Sequence, residues 1–348
     1  MNVGVSSSSV GGVSAIGCIA GAVVGLVPLA ALAMLVEQPV PAPDQLAHLG
    51  DWVVDEPAFA QRRPWREFFA PVLSEQEVLE PTTRVPGTYD DIPGALDALP
   101  SEGGTIELGP RTYFLAGGLG ERRLCIFGRE GAARTVLRAA AQGSPVISAG
   151  RGARIRLRDL TLTDAEAFDI ENIAVAVMAV GKAEIRLEGC IIAGNNLDRR
   201  SKYGAALSAE NGGTIEASHC LIIANGAELG TPAVHAGTGG TIVLDHCTVV
   251  GNVVSEVKPG YGTIAGAGGS IEVRHCIVWG NTAAGIGSVP YHGSPPTEYL
   301  VTHSAIEGGY PGEGNTALDP CFRDPFRGDF RLRDDTPVPD AGAMPLVR

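Results

Sequence analysis

The sequence predicts an all-β solenoid, a right-handed parallel β-helix, and three observations carry the prediction. A unit opening on Gly-[Ser/Thr]-Ile and closing on His-Cys recurs through the second half of the 348 residues at a spacing close to thirty. Self-similarity at such a period marks a stack of supersecondary units. Glycine is abundant, at 47 residues, while aromatics make up only 5%, so the core has to come from Val, Ile, Leu, Ala and Cys, with glycine serving turns. Within each unit apolar residues alternate over short runs, the period of a half-buried strand.

The units begin at Arg154 (RIRLRDLTLTDA), Glu184 (EIRLEGCIIAGN), Thr214 (TIEASHCLIIAN), Thr241 (TIVLDHCTVVGN) and Ser270 (SIEVRHCIVWGN), with a degenerate sixth at Glu298 (EYLVTHSAIEGG). In each, Ile-x-[Val/Leu/Ala] reads as a short strand, a two-residue bend follows, and Cys-x-[Ile/Val] reads as the next strand. A third strand per rung is expected upstream, at Ala174 to Val180, Gly204 to Ala209, Pro232 to Ala236 and Gly262 to Ala267. Gly-Gly pairs at 212–213, 239–240 and 268–269 supply the corner leading into the Ile strand, where positive φ is cheap only for glycine. Three strands and three corners make a triangular rung.

Stacking such rungs turns repeated positions into columns. Cys190, Cys220, Cys247 and Cys276 advance by 30, 27 and 29 residues and read as small buried apolar side chains. A disulfide between neighbouring rungs stays geometrically open, because stacked strands lie about 4.8 Å apart and disulfide Cα separations span about 4.4–6.8 Å. Asn195, Asn225, Asn252 and Asn281 each follow their cysteine by five residues and read as a corner ladder, hydrogen-bonded along the helix axis. His219, His246 and His275, with His303 in the degenerate unit, form a column at the bend before the second strand. A metal-binding column and a structural ladder of neutral imidazoles share this pattern. Gly189, one rung earlier at the same place, favours the ladder. The seven cysteines are an odd number and match no zinc spacing.

Ahead of the repeats lie two further segments. Residues 1–36 include 27 residues without a charge, from Val10 to Val36, long enough to cross a bilayer as a helix. They read as a transmembrane anchor or a signal peptide, with Ala31-Leu32-Ala33 as the processing site of the second reading. Residues 37–87 read as a Pro-rich acidic tether, in which Trp52, Trp65, Phe68 and Phe69 suggest local docking. Residues 37–100 hold 12 acidic and 4 basic residues, so most of the net charge of −13 lies outside the repeats. No Lys/Arg cluster interleaved with aromatics is present, which argues against a nucleic-acid partner.

The repeat, together with Asp91 to Phe114 (DIPGALDALPSEGGTIELGPRTYF) and Asp319 to Ala343 (DPCFRDPFRGDFRLRDDTPVPDAGA), resembles the pectin-lyase-like superfamily of right-handed parallel β-helices in its bacterial surface and secreted form. The resemblance covers residues 88–345. It implies a short N-terminal helix capping the open end of the coil before a first strand at Thr105 to Leu108, since an uncovered terminal rung is an aggregation-prone edge. The superfamily hosts lyases, hydrolases, esterases, epimerases and non-catalytic adhesins, so the fold alone leaves the activity open.

For polysaccharide-cleaving members the resemblance implies a groove on an outer strand face, flanked by the long connectors. The connectors after each Asn carry Arg199, Lys202 and Lys258 as candidate bases. Tyr203, Glu228, His235, Glu256, Tyr261, Tyr291 and His292 are the candidates for stacking on and hydrogen-bonding a sugar. Asp164, Asp169 and Glu171 belong to the densest acidic group of the coil; no cofactor is expected, a solvated connector is the simpler reading of this group, and calcium, if bound at all, would bind there. The R-x-P-x-x-R segment of pectate-type lyases is absent, and the N-x-D, D-D and G-H-G pattern of the hydrolases does not fall on successive rungs: Asp90-Asp91 lies before the cap, and His292-Gly293 lacks the preceding glycine. The expected function is therefore a membrane-anchored extracytoplasmic β-helix that binds carbohydrate or cell-envelope polymer, secreted if residues 1–33 are removed. The alternative is a polysaccharide lyase or another carbohydrate-active enzyme working on acidic glycans.

Overall fold

In a computed structural model that describes residues 63–70, 82–166, 175–197, 205–288 and 295–344, the repeat units coil into a parallel β-helix with three sheets. The Ile strands (Arg154–Arg158, Glu184–Glu188, Thr214–Ser218, Thr241–Asp245, Ser270–Arg274, Glu298–Thr302) stack behind Thr82–Val85, Gly103–Leu108 and Arg123–Gly128 into a nine-stranded first sheet. The Cys strands, among them Ile191–Ala193, Leu221–Ile223, Thr248–Val250 and Ile277–Trp279, belong to an eight-stranded second sheet. Val175–Val180, Ala205–Glu210, Val234–Ala236 and Gly262–Gly266 belong to a seven-stranded third sheet.

Register is kept from rung to rung. Ile155, Ile185, Ile215, Ile242 and Ile271 are successive Cα partners, as are Leu157, Leu187, Ala217, Leu244 and Val273. Both columns are buried, because a period of two sends alternate side chains of every strand into the coil. Tyr299 ends the isoleucine column, and its hydroxyl accepts the Gly266 N–H at 3.0 Å.

At the N-terminal end, helix α1 (Ile92–Ala98) is capped by Asp91, whose carboxylate accepts the Gly94 N–H at 2.8 Å. Its buried face, Ile92 and Ala95, joins the core that contains Val85 and Leu108. One strand precedes the expected start: Thr82–Val85 pairs in parallel with Gly103–Leu108. Pro81 and Pro86 bracket these four residues, which made them read as tether. Between two prolines a short edge strand still forms. The anchor or signal expected over residues 1–36 lies outside the described residues. Among the described residues no helix is long and apolar enough to cross a membrane.

The three corners use three devices. Between the first and second sheets stands a column of left-handed residues, Asp159, Gly189, His219, His246, His275 and His303, with φ of 49–58°. Histidine is among the few non-glycine residues enriched there. Between the second and third sheets the left-handed residue is the one before each asparagine, namely Gly194, Ala224, Gly251 and Gly280, so the asparagine backbones themselves are not left-handed. Their side chains form the ladder instead. Asn195 Nδ2 donates to Asn225 Oδ1 at 2.8 Å, Asn225 Nδ2 to Asn252 Oδ1 at 2.9 Å, and Asn252 Nδ2 to Asn281 Oδ1 at 3.0 Å.

At the third corner the paired glycines serve two purposes. Gly212, Gly239 and Gly268 have positive φ, while their partners do not. A Cβ on Gly213 would lie 2.2 Å from the Ala179 carbonyl oxygen, and one on Gly240 would lie 2.1 Å from that of Ala209. These second glycines are there for close approach of successive rungs. Gly213→Ala should therefore cost about 1–3 kcal/mol as overpacking against backbone, read as a lower midpoint in urea unfolding. An unchanged midpoint would contradict the close approach.

The outer side of the second sheet is apolar and covered. Ile191, Leu221, Ile223, Val250, Ile277 and Trp279 point away from the coil's interior into a second buried cluster with Trp65, Phe69, Phe322, Phe330 and Leu332. The covering pieces are the 3-10 turn Pro64–Glu67 and the C-terminal segment with its antiparallel pair Phe322–Asp324 and Asp329–Leu332. Arg331 lies over the Phe68 ring at 5.2 Å. Further on, the Ala343 N–H donates to Thr248 Oγ1 at 2.9 Å and the Gly342 N–H to the His275 carbonyl at 2.8 Å.

Candidate functional site

With the second face covered, the first sheet offers an open outer face, and its alternate positions are the variable residues of the repeat. In register, Arg123, Arg154 and Glu184 form one outward column, and Cys125, Arg156, Arg186 and Glu216 the next. Arg123, Arg154, Arg156, Arg186 and Glu184 enclose a groove of about 310 Å³ with Leu124 and Ile155. Four guanidinium groups thus line one groove, three of them paired with carboxylates of the same sheet, on strands whose rungs are about 4.8 Å apart.

Their ion pairs differ in strength. Arg156 donates to Glu188 Oε1 through Nε at 3.0 Å and Nη2 at 2.7 Å, and both side chains are mostly shielded. Arg154–Glu184 at 3.3 Å and Arg186–Glu216 at 3.0 Å are about half exposed. Pairs of that kind are worth about 0–1 kcal/mol, so an incoming carboxylate or sulfate can exchange with Glu184 or Glu216 at little cost. Arg123 is exposed, and no carboxylate pairs with it among the described residues. The groove is therefore built for anions, with one cation free and two loosely engaged.

Among the described residues, none of those expected at a site lines this groove. Glu256 and Glu228 sit on connectors that stack on each other, the Glu256 N–H donating to the Glu228 carbonyl at 2.8 Å, with Gly226–Ala227 and Val253–Val254 pairing as an extra parallel ladder. Lys258 reaches back to Glu256 at 3.9 Å. Tyr261 packs on Ala265 of the third sheet and on Ala267 just beyond that strand. On that sheet's outer side His235 Nδ1 is 3.1 Å from Glu210 Oε1, which also accepts the Ser208 hydroxyl at 3.3 Å. Arg199, Lys202, Tyr203, Tyr291, His292, Asp169 and Glu171 lie outside the described residues.

Asp164, a candidate calcium ligand, is engaged otherwise. Arg63 approaches its Oδ1 at 2.6 Å and Arg138 its Oδ2 at 2.5 Å. Two cations on one shielded carboxylate leave no charge to attract a third.

The remaining columns are interior or corner features. Cys190, Cys220, Cys247 and Cys276 are buried free thiols. Cys220 donates to the Ser218 carbonyl at 3.2 Å and Cys276 to that of Arg274 at 3.0 Å. Burial pushes both of these thiols well above the usual range, as do their cysteine neighbours. The imidazoles of His219, His246, His275 and His303 stack with centroids 5.1, 4.7 and 5.3 Å apart. Burial, helped by the neighbouring His246, holds His219 below the ordinary histidine range.

The groove arginines were missed because they occupy the variable positions of the repeat, and Arg123 lies on a strand that lacks its His-Cys anchor (RLCIFG). Writing the outward positions of successive units as columns would have placed Arg154 beside Glu184 and Arg156 beside Arg186. No family model matches this chain, and no curated protein matches it. Among solved structures, a pectin methylesterase from Aspergillus niger is similar at 16% identity and a TM-score of 0.40, over 72% of this chain and 90% of that one. A pectin methylesterase from carrot is similar at 12% identity and a TM-score of 0.36, over 71% and 87%. A pectin methylesterase variant in complex with a hexasaccharide is similar at 13% identity and a TM-score of 0.39, over 75% and 94%. No residue role is carried over from them.

Proposed function

We propose that this β-helix binds an acidic glycan or cell-envelope polymer along the outer face of its first sheet, with residues 1–36 holding it in, or exporting it across, a membrane. The observation that carries the reading is the groove of Arg123, Arg154, Arg156 and Arg186, in which Arg123 has no carboxylate partner among the described residues. Arginine presents a planar fork to carboxylate or sulfate, and arginines on successive rungs suit a polymer that carries its acids at regular intervals. The ligand's charge, rather than a preformed apolar pocket, supplies the selectivity.

Calorimetry with oligogalacturonate and oligomannuronate against neutral dextran of equal length tests this. Binding of the acidic chains alone, weakening with salt, is expected. Arg123→Ala should lower affinity roughly tenfold, the loss of one charge-assisted hydrogen bond of about 1.5 kcal/mol. Equal binding of dextran, or an Arg123→Ala variant that binds like the parent, would remove the reading. Membrane fractionation of the full chain separates anchor from signal: an anchored chain sediments with membranes, and a processed one is found free at lower mass.

A second reading, cleavage of an acidic glycan, draws on the third face. Glu210 on the Nδ1 side of His235 leaves Nε2 available as a general base. New unsaturated ends or reducing ends released from acidic polysaccharides, and lost in His235→Ala, would support it. Turnover unaffected by that substitution would count against it.

A further inference from the structure

We propose that Asp245, His246 and His275 form a site for a divalent transition-metal ion of the imidazole-binding kind, such as Zn2+ or Co2+. One ligand atom from each of the three lies within 4.8 Å of the other two. Asp245 Oδ1 is 2.9 Å from His246 Nδ1 and 3.7 Å from His275 Nδ1. Donor atoms around a tetrahedral ion with bonds of about 2.1 Å stand about 3.4 Å apart, so these two separations bracket the value required. His275 Nδ1 is buried and has no hydrogen-bond partner among the described residues. The His246 and His275 rings lie 12° from parallel with centroids 4.7 Å apart. Their two nitrogens have to turn towards the ion, and the broad χ2 well of histidine allows that.

The site arises at these rungs and not elsewhere in the column for a reason visible in the chain. The residues preceding His219, His246, His275 and His303 are Ser218, Asp245, Arg274 and Thr302, in register on the first sheet. Only His246 follows an acid, and that acid sits beside the histidine one rung further on. His303 is closed off, since a Cβ on Gly314 would come within 2.6 Å of its ring. Two imidazoles and one carboxylate, each partly exposed, leave solvent-facing positions on the ion, the arrangement of an open rather than a closed metal site. Arg274, 3.7 Å from Asp245 Oδ2 and 3.4 Å from Glu272, is the cation an ion would have to displace or share with.

The test is calorimetric titration of the full chain with Zn2+, paired with the visible spectrum of added Co2+. One ion per chain is expected. Asp245→Asn, and His246→Asn with His275→Asn, should each weaken binding at least about tenfold and abolish the Co2+ bands. Asparagine is chosen because it tolerates the left-handed backbone at 246 and 275, and unchanged thermal unfolding confirms that the variants fold. His219→Asn should bind as the parent does, and Arg274→Ala should bind more tightly. The proposal falls if the parent takes up no ion, if Asp245→Asn and the double variant bind like the parent, or if His219→Asn is equally impaired.

Discussion

Asn225→Ala is expected to lower stability by about 3–5 kcal/mol, more than truncation of any exposed residue of the coil. The side chain makes four bonds at a fully buried corner. Its Nδ2 donates to the Ile192 carbonyl at 3.0 Å and to Asn252 Oδ1 at 2.9 Å. Its Oδ1 accepts from Asn195 Nδ2 at 2.8 Å and from the Asn195 N–H at 3.3 Å. Each buried donor or acceptor left unmade costs about 1–3 kcal/mol, and alanine brings no water to replace them. Asn281→Ala, at the partly exposed end of the ladder, should cost less than half as much, since water can enter the space that its side chain vacates and hydrogen-bond the groups left behind. Urea unfolding of the two variants checks the ordering. Equal losses would mean that the ladder is not what holds the corner.

Trp65→Ala should cost about 3–5 kcal/mol, the range for a large side chain removed from a core. Trp65 is fully buried, although it stands in a proline-rich stretch far ahead of the repeats, and it shares a cluster with Phe330 and Leu332 from the other end of the chain. Trp65→Phe keeps much of the apolar area and should recover at least half of the loss. Thermal unfolding followed by circular dichroism reads both. A Trp65→Ala variant that melts with the parent would show that segment 63–70 contributes nothing to the folded coil.

The inward columns were legible because the interior of a rung favours apolar side chains at a period of two, and Ile155, Ile185, Ile215, Ile242 and Ile271 obey it in five successive units. The histidine and glycine corners were legible because left-handed backbone is sterically selective. The covered outer face left a weaker signal. Cys-Ile-Ile, Cys-Leu-Ile-Ile and Cys-Ile-Val-Trp are runs without alternation, the pattern of strands buried on both sides, yet nothing in the runs says which segment covers them. The arginine groove was harder still. Arg123 and Arg154 are neighbours only because two rungs of unlike sequence stack in register, and the connector between them sets that register. Asp245 likewise meets His275 through stacking rather than through a local motif.

The clasp on the second sheet has a consequence for how the molecule comes apart. A solenoid whose rungs touch only their neighbours unfolds as a row of weakly linked units, free to fray from either end. Here the residues around Trp65 and those around Phe330 join in one cluster that runs from Ala132 to Ala305. Rungs that never touch one another thereby share common partners. Fraying at one end must release a piece that also holds the other, so the coil should lose its structure in a single concerted transition rather than rung by rung.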